Sequence, residues 1–180
     1  MILARLRNRR TGREIIETIH AKIVAASREP AIYVDLGVPD TTDGRFEMIA
    51  LHGGLTLRRL GALGKPVESL AREVANCIFK HFDVALREMG VGDLTVPKRM
   101  LKFAEAFYGR LSAYGQALDA GDRKRLADAL ARNIYTDPDT IHAPALADYA
   151  ITLAQTLDRL DAADFLSGGV IFPAVGSKHP

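Results

Sequence analysis

The sequence predicts an all-α fold: a single-domain bundle of about six helices with a flexible C-terminal tail. Apolar residues recur at intervals of three or four positions through most of the 180 residues. Proline and glycine interrupt this pattern at helix-length intervals, and no useful stretch of β-type alternation appears. A content of 48% hydrophobic and 26% charged residues is typical of a soluble globular domain, long enough to bury one continuous core.

The first half of the chain predicts three helices. The first runs from about Thr11 to Arg28, before Pro30, and its apolar positions are Ile15, Ile16, Ile19, Ile23 and Val24. The stretch AIYVDLGVPDTTDG then predicts a structured connection. A second helix starts just before Phe46; it is apolar on two sides and therefore central, and its Gly53 and Gly54 suggest a close crossing or a kink. The third helix opens at Pro66 and ends at Gly90.

Three further helices follow in the second half. The fourth starts after Pro97 and carries an apolar face of Met100, Phe103, Phe107, Leu111 and Tyr114. The fifth opens at Asp122, and the sixth runs from about Pro144 to Leu160. These helices place a domain at residues 11–166, between a basic arm at 1–10 and a tail at 167–180.

The basic arm is the main asymmetry of charge. Arg5, Arg7, Arg9, Arg10 and Arg13 all precede the first acid, Glu14. A solvated, frayed terminus is the simpler interpretation, and contact with anionic lipid or RNA is the alternative. The sequence has no apolar run of membrane-spanning length and no apolar region typical of a secretory signal. Its single cysteine suits a reducing compartment, so we expect a cytoplasmic location.

Candidate metal and nucleophile sites are weak. Cys77 and His81 have a spacing that suits a metal on one helix, but two ligands are too few unless His52 joins them, and neighbouring phenylalanines favour packing. The same surroundings argue against Cys77 as a nucleophile. No cofactor or metal is therefore expected.

A loop cluster of Asp35, Asp40 and Asp43 resembles metal-binding or acid–base carboxylates, but turn chemistry explains these residues more simply. No glycine-rich phosphate loop or nucleophile elbow occurs. The sequence thus gives no indication of an enzyme.

The stretch REMGVGDLTVPKRM, residues 87–100, separates the third and fourth helices. Gly90 and Gly92 turn the chain, and Asp93 suits a turn. Lys98, Arg99 and Lys102 then fall in the first turns of the fourth helix, where cations oppose the helix dipole. Either an external anionic partner or simple tolerance at the surface explains them.

Three segments resemble a known family. GVPDTTDGRFEMIALH, LREMGVGDLTVPKRM and FAEAFYGRLSAY, in this order, are similar to segments of the ubiquinol–cytochrome c chaperone family, and LADALARNIY fits its next helix. The resemblance covers roughly residues 12 to 160. It implies an all-helical, non-enzymatic protein that holds newly made cytochrome b during assembly of the ubiquinol–cytochrome c reductase, together with a second small assembly subunit. It also makes the ribosome or an anionic membrane surface candidate partners of the arginine arm, and the inner membrane a candidate peripheral location.

The resemblance also implies where partners bind. The candidate contact residues in these segments are Asp40, Asp43, Gly44, Arg45, His52, Gly90, Gly92, Asp93, Lys98, Arg99, Tyr108, Gly109 and Arg110.

Two hypotheses of different classes follow. The first is the assembly chaperone; the second is a helical protein that binds a small apolar ligand such as a quinone, a lipid or haem. A buried pocket between the second and fourth helices would favour the ligand. An open apolar groove with a basic rim would favour the chaperone.

Overall fold

The computed structural model describes residues 2–135, 137 and 140–176, with side chains from residue 12 onwards. Across these residues the secondary structure is helical and contains no strand, which confirms the predicted fold class. The helices are α1 (Ile2–Ser27), α2 (Pro30–Val34), α3 (Thr42–Leu63), α4 (Glu68–Glu88), α5 (Val96–Asp119), α6 (Arg123–Leu130), α7 (Ala143–Asp158) and α8 (Ala162–Leu166). A 3₁₀ turn (Lys65–Val67) precedes α4, and a π-helical turn (Ala131–Tyr135) extends α6.

The central helix of the bundle is α3, as its two apolar stripes predict. It packs against α1, α4, α5 and α7, and every residue from Phe46 to Thr56 is buried. The close crossing predicted at its glycines is confirmed, since a Cβ on Gly53 would lie 2.9 Å from Cδ1 of Ile78 on α4. A Cβ on Gly54 would lie 3.6 Å from Cδ1 of Leu111 on α5. These two glycines let α4 and α5 pack closely on α3.

Local signals set the helix ends. The Thr41 hydroxyl accepts a hydrogen bond from the Gly44 amide at 3.1 Å and caps α3. This helix begins at Thr42, a little earlier than the start predicted just before Phe46. Gly90, with φ at 78°, follows α4 in the left-handed region, as predicted. Asp122 caps α6 by accepting from the Arg125 amide at 2.9 Å, also as predicted.

Two short helices are absent from the sequence prediction. Pro30 starts α2 as well as ending α1, and α8 opens with a reciprocal capping box between Asp161 and Asp164. Each helix has five residues, too few for an apolar period to appear.

The C-terminal segment from Ser167 to Gly176, predicted as a flexible tail, has no helix. It nevertheless packs against the bundle: Val170 is buried, and Lys22 donates to the Gly168 carbonyl at 2.8 Å. The Phe172 ring lies edge-on to His52, with centroids 5.7 Å apart. The first helix begins at Ile2, nine residues before the predicted Thr11. Residues 177–180 and the side chains of Arg5, Arg7, Arg9 and Arg10 lie outside the described residues, and the domain boundaries remain predictions.

Among the residues that the structure describes, no helix combines the length and the apolar content that crossing a membrane requires.

Candidate functional site

Two of the segments that carry the resemblance face each other across a cleft. The start of α3 and the loop before it form one side, and the first half of α5 forms the other. The cleft has a volume of about 550 Å³. Its lining residues are Pro39, Thr41, Asp43, Gly44, Phe46, Glu47, Arg99, Lys102, Phe103, Ala106, Arg110, Asn133 and Ile134.

The cleft has an apolar floor and a polar rim. Phe46 and Phe103 meet in the floor with ring centroids 4.6 Å apart, and Ala106 lies beside them. On the α5 side of the rim, Arg99 and Lys102 are exposed, and neither forms an ion pair with any residue that the structure describes. Two free cations therefore border an aromatic floor.

The aromatic floor continues into a second, smaller depression of about 160 Å³. Phe82 of α4 stacks on Phe103 with centroids 5.6 Å apart and also contacts Phe46 at 5.0 Å. Met89, with an exposed fraction of 53%, lies on the edge of this depression. The three phenylalanines thus join the two depressions into one apolar track.

Arg110 and Glu47 form the inner wall of the cleft. The Arg110 guanidinium donates to both carboxylate oxygens of Glu47, and its central carbon lies 5.7 Å from the centroid of the Phe46 ring. Burial raises the pKa of the Glu47 carboxyl, although the Arg110 charge acts in the opposite direction. Arg110, predicted as a contact residue, is therefore largely engaged inside the protein.

Four predicted residues lie at the start of α3 and in the loop before it. A Cβ on Gly44 would lie 1.9 Å from the Pro39 carbonyl oxygen, so this position accepts only glycine without a backbone shift. Arg45 donates to Asp40 at 2.7 Å, and the guanidinium lowers the pKa of that exposed carboxyl. Asp43 is exposed on the rim of the cleft.

The predicted turn between α4 and α5 is present. In this turn the Thr95 amide donates a hydrogen bond to the Gly92 carbonyl at 2.8 Å. The Asp93 carboxylate accepts from Arg87 of α4 rather than bonding to the turn backbone. Lys98 is exposed on the first turn of α5, next to Arg99.

Tyr108 and Gly109 lie on the exposed side of α5 and do not line the cleft. The Tyr108 ring is 51% exposed and lies 5.9 Å from the Phe79 ring of α4. No other group lies within 4 Å of a Cβ built on Gly109. The structure leaves both positions open to a partner.

His52 is a core residue. It is fully buried, its Nδ1 bonds to the Met48 carbonyl at 2.7 Å, and its Nε2 bonds to the Tyr149 hydroxyl at 2.7 Å. A carbonyl oxygen only accepts, so Nδ1 carries the hydrogen and Nε2 accepts from Tyr149. Burial lowers the pKa of His52 to about 4. Its side chain is therefore unable to contact a partner directly, contrary to the role that the resemblance implied.

The weak metal site does not gain a third ligand. His81 lies against His20 of α1, with ring centroids 5.2 Å apart, while His52 is bonded elsewhere. No cluster of three or more metal-ligating side chains occurs among the described residues. Burial raises the pKa of the Cys77 thiol, so the surroundings disfavour the reactive thiolate.

Several residues that line the cleft were not predicted as site residues, above all Phe103, Ala106 and Ile134. Arg99, Lys102, Phe103, Ala106 and Arg110 recur at helical spacing, which places them on one face of α5. The sequence alone shows this mixture of basic and apolar residues on one face of the fourth predicted helix, so that wall of the cleft could have been predicted. The opposing wall could not be predicted from the sequence, because only tertiary packing brings residues 39–47 opposite this face of α5.

A protein-family model and a solved crystal structure are each similar to this chain over most of its length. The family model described as "Ubiquinol-cytochrome C chaperone" matches residues 34–172, which is most of the chain. The crystal structure of the Cbp3 homolog from Brucella abortus is similar, with a TM-score of 0.89 and 40% identity, over 97% of this chain and 98% of that one.

Two curated proteins are similar to this chain over about three quarters of its length. Ubiquinol-cytochrome-c reductase complex assembly factor 1 of Xenopus laevis is 28% identical over 138 residues, 74% of this chain and 68% of that protein. The human protein of that name is 26% identical over 146 residues, 79% of this chain but only 48% of its own length. The chain thus spans about half the length of its human relative.

Proposed function

Because the chain belongs to the ubiquinol-cytochrome C chaperone family, we propose that it is a non-enzymatic assembly chaperone for the ubiquinol–cytochrome c reductase. In this proposal it binds newly made cytochrome b and holds it until the complex assembles. The observation that carries the proposal is the cleft between α3 and α5. The segments that carry the resemblance form it, and it combines an aromatic floor with free cations on its rim.

The shape of the cleft favours a polypeptide over a small molecule. Thr41, Asp43 and Lys102 border it and are exposed, so the cleft opens to solvent. A small apolar ligand such as a quinone would be mostly enclosed by its pocket. A volume of about 550 Å³ is enough for several apolar side chains of a helix lying across the cleft. The Phe46–Phe103 pair supplies the apolar contact surface for them.

The charges suit a segment of a membrane protein before insertion. Such a segment presents apolar residues flanked by polar loops, and Arg99 and Lys102 are placed to meet acidic groups at its end. The inner acid, Glu47, is held by Arg110 and is not available for proton transfer to a bound segment. We therefore propose binding without catalysis. A location at the inner membrane, where the client inserts, is part of the same proposal.

Site-specific photo-crosslinking in the native host tests the client and the cleft together. A benzophenone amino acid at Asp43, exposed on the rim of the cleft, should give a covalent product with newly made cytochrome b. The same probe at Ser112, exposed on α5 outside the cleft, is the matched control and should give none.

A cleft-filling variant tests the function. Ala106→Phe places a ring in the floor without removing core packing, whereas Ser112→Phe places the same ring outside it. In a deletion strain, the wild type and Ser112→Phe should restore the assembled reductase, and Ala106→Phe should not. If the deletion strain keeps its normal amount of reductase, the assembly role is wrong. If Ala106→Phe folds and restores assembly, the cleft is not the client site.

A further inference from the structure

Leu94, in the turn between α4 and α5, is 98% exposed. It lies directly before Thr95, the N-cap of α5. An apolar residue at this position commonly packs on the residue five places further along the chain, which closes a hydrophobic staple. Here that residue is Arg99, which is exposed, so Leu94 has no apolar partner and projects into solvent.

The same corner carries a second exposed leucine among cations. Leu101 is 61% exposed, and Lys98 and Lys102 lie next to it on the first turns of α5. Neither lysine forms an ion pair within the described part of the chain. Residues 94–102 contain three cations and no acid. We call the set Leu94, Lys98, Leu101 and Lys102 the α5 corner.

Acids near the α5 corner do not cancel this charge. Asp93 is bound by Arg87, which also pairs with Asp83. Glu88, at the end of α4, and Glu105, one helical turn after Leu101 and Lys102 on α5, are exposed, and neither forms an ion pair within the described residues. The three cations of residues 94–102 therefore outnumber the one acid on the same face of α5. The corner is therefore locally cationic, with two aliphatic side chains in its most exposed positions.

We propose that the α5 corner docks the protein on an anionic lipid bilayer. Leu94 and Leu101 enter the boundary of the apolar layer, and Lys98 and Lys102 pair with lipid phosphates and anionic head groups. Two signals set the membrane affinity of a peripheral surface: the apolar area that it buries and its electrostatic attraction to anionic lipid. The corner presents both signals within nine residues.

The chemistry of the corner fits lipid better than RNA or a folded protein. Proteins that bind single-stranded RNA stack its bases on aromatic rings, and aliphatic leucine offers no stacking surface. A folded partner needs a complementary surface, whereas Leu94 projects alone with almost nothing packed around it. A fluid hydrocarbon layer accepts a projecting leucine without any matching shape.

The proposed membrane contact deepens the proposed function and rests on its inner-membrane location, but its surface is distinct from the aromatic floor and its test needs no client. The two surfaces meet at Lys102, which also lines the cleft. A docked corner would hold the open cleft at the bilayer, where a membrane protein client inserts.

Vesicle co-sedimentation of the purified full chain tests the proposal. The vesicles are phosphatidylcholine with about 30% phosphatidylglycerol, and phosphatidylcholine alone provides the neutral reference. The wild type should bind the anionic vesicles and bind less as salt is added. Leu94→Asp and Lys98→Glu should each weaken binding by about tenfold or more.

Matched controls separate this corner from general surface effects. Ile141 is 85% exposed at another place on the surface, and Lys80 is an exposed cation on α4. Ile141→Asp and Lys80→Glu should therefore leave vesicle binding within about twofold of the wild type, because neither residue belongs to the α5 corner. Unchanged circular dichroism confirms that each variant is folded. The cleft variant Ala106→Phe should also bind vesicles normally, which keeps this test independent of the client.

Three results would overturn the proposal. The first is a wild type that does not sediment with anionic vesicles. The second is full binding by Leu94→Asp and Lys98→Glu, with binding lost instead when Arg5, Arg7, Arg9 and Arg10 are replaced by glutamine. The third is that ribosomal RNA displaces the protein from vesicles, and that Lys98→Glu weakens this RNA binding while Leu94→Asp does not. That result would assign the corner to RNA.

Discussion

The guanidinium of Arg110 on α5 donates one hydrogen bond to each carboxylate oxygen of Glu47 on α3. Their side chains are only 18% and 7% exposed, and they join the two helices that form the cleft. This bond fixes the distance between the walls, and Arg110 also covers one face of the Phe46 ring. Arg110, which the family resemblance implied as a partner contact, therefore joins the two helices of the cleft from inside the protein.

Removal of Arg110 should be strongly destabilising. Arg110→Met leaves the Glu47 carboxylate buried without its partner, which costs about 3–5 kcal/mol in unfolding free energy. The double variant Arg110→Met, Glu47→Gln should recover part of this loss, because no buried charge remains. Urea denaturation of the two single variants and the double variant measures the coupling. Additive losses would show that the pair does not act as a unit.

The two glycines at Gly44 and Gly109 should respond to alanine in opposite ways. Gly44→Ala should lower the melting temperature, because its Cβ would overlap the Pro39 carbonyl. Gly109→Ala should raise stability by about 0.5–1 kcal/mol, because it lies in the middle of α5 with free space around it. If Gly109→Ala is more stable yet fails to restore the reductase, a partner contacts that face of α5. Full restoration would remove Gly109 from the candidate contacts.

His52 should make stability depend on pH in the acid range. Its pKa is lowered to about 4 by burial, whereas an unfolded histidine keeps a pKa of about 6.5. The unfolded state therefore binds more protons between these values, and stability falls as the pH decreases from about 6.5 to 4. The loss amounts to about 3 kcal/mol. Burial also lowers the pKa of His20 and His81, which adds to the same trend.

The pH effect is measured by urea denaturation across that range. His52→Asn should flatten the curve, while Tyr149→Phe should lower stability and keep the slope, because it removes the hydrogen bond but not the titrating group. An unchanged slope in His52→Asn would assign the effect to other groups.

Val170 should stabilise the C-terminal segment against the bundle. It is 2% exposed, so Val170→Ala should cost roughly 1–3 kcal/mol by leaving a cavity. Its neighbour Ile171 is 62% exposed, and Ile171→Ala should change stability by less than about 0.5 kcal/mol. Equal effects of the two substitutions would mean that the segment does not pack in solution as it does here.

The sequence by itself determined the helical fold, the order of the six longer helices and the central place of α3. These properties are local: apolar period, capping residues and glycine or proline at helix ends act within a few positions of the chain. The turn at Gly90 and the cap at Asp122 were predictable for the same reason. The family was also recognisable from its segments.

Only the tertiary structure decided which of the marked residues face outward. His52 lies in the same segment as the exposed Asp43, and Arg110 in the same segment as the exposed Tyr108. His52 is nevertheless in the core, and Arg110 bonds to Glu47 in the wall of the cleft. Burial of a polar side chain depends on a hydrogen-bond partner far along the chain, such as Tyr149 for His52 or Glu47 for Arg110. A periodic pattern records which face of a helix is apolar, but not what that face meets, and the cleft exists only where two such faces leave space between them.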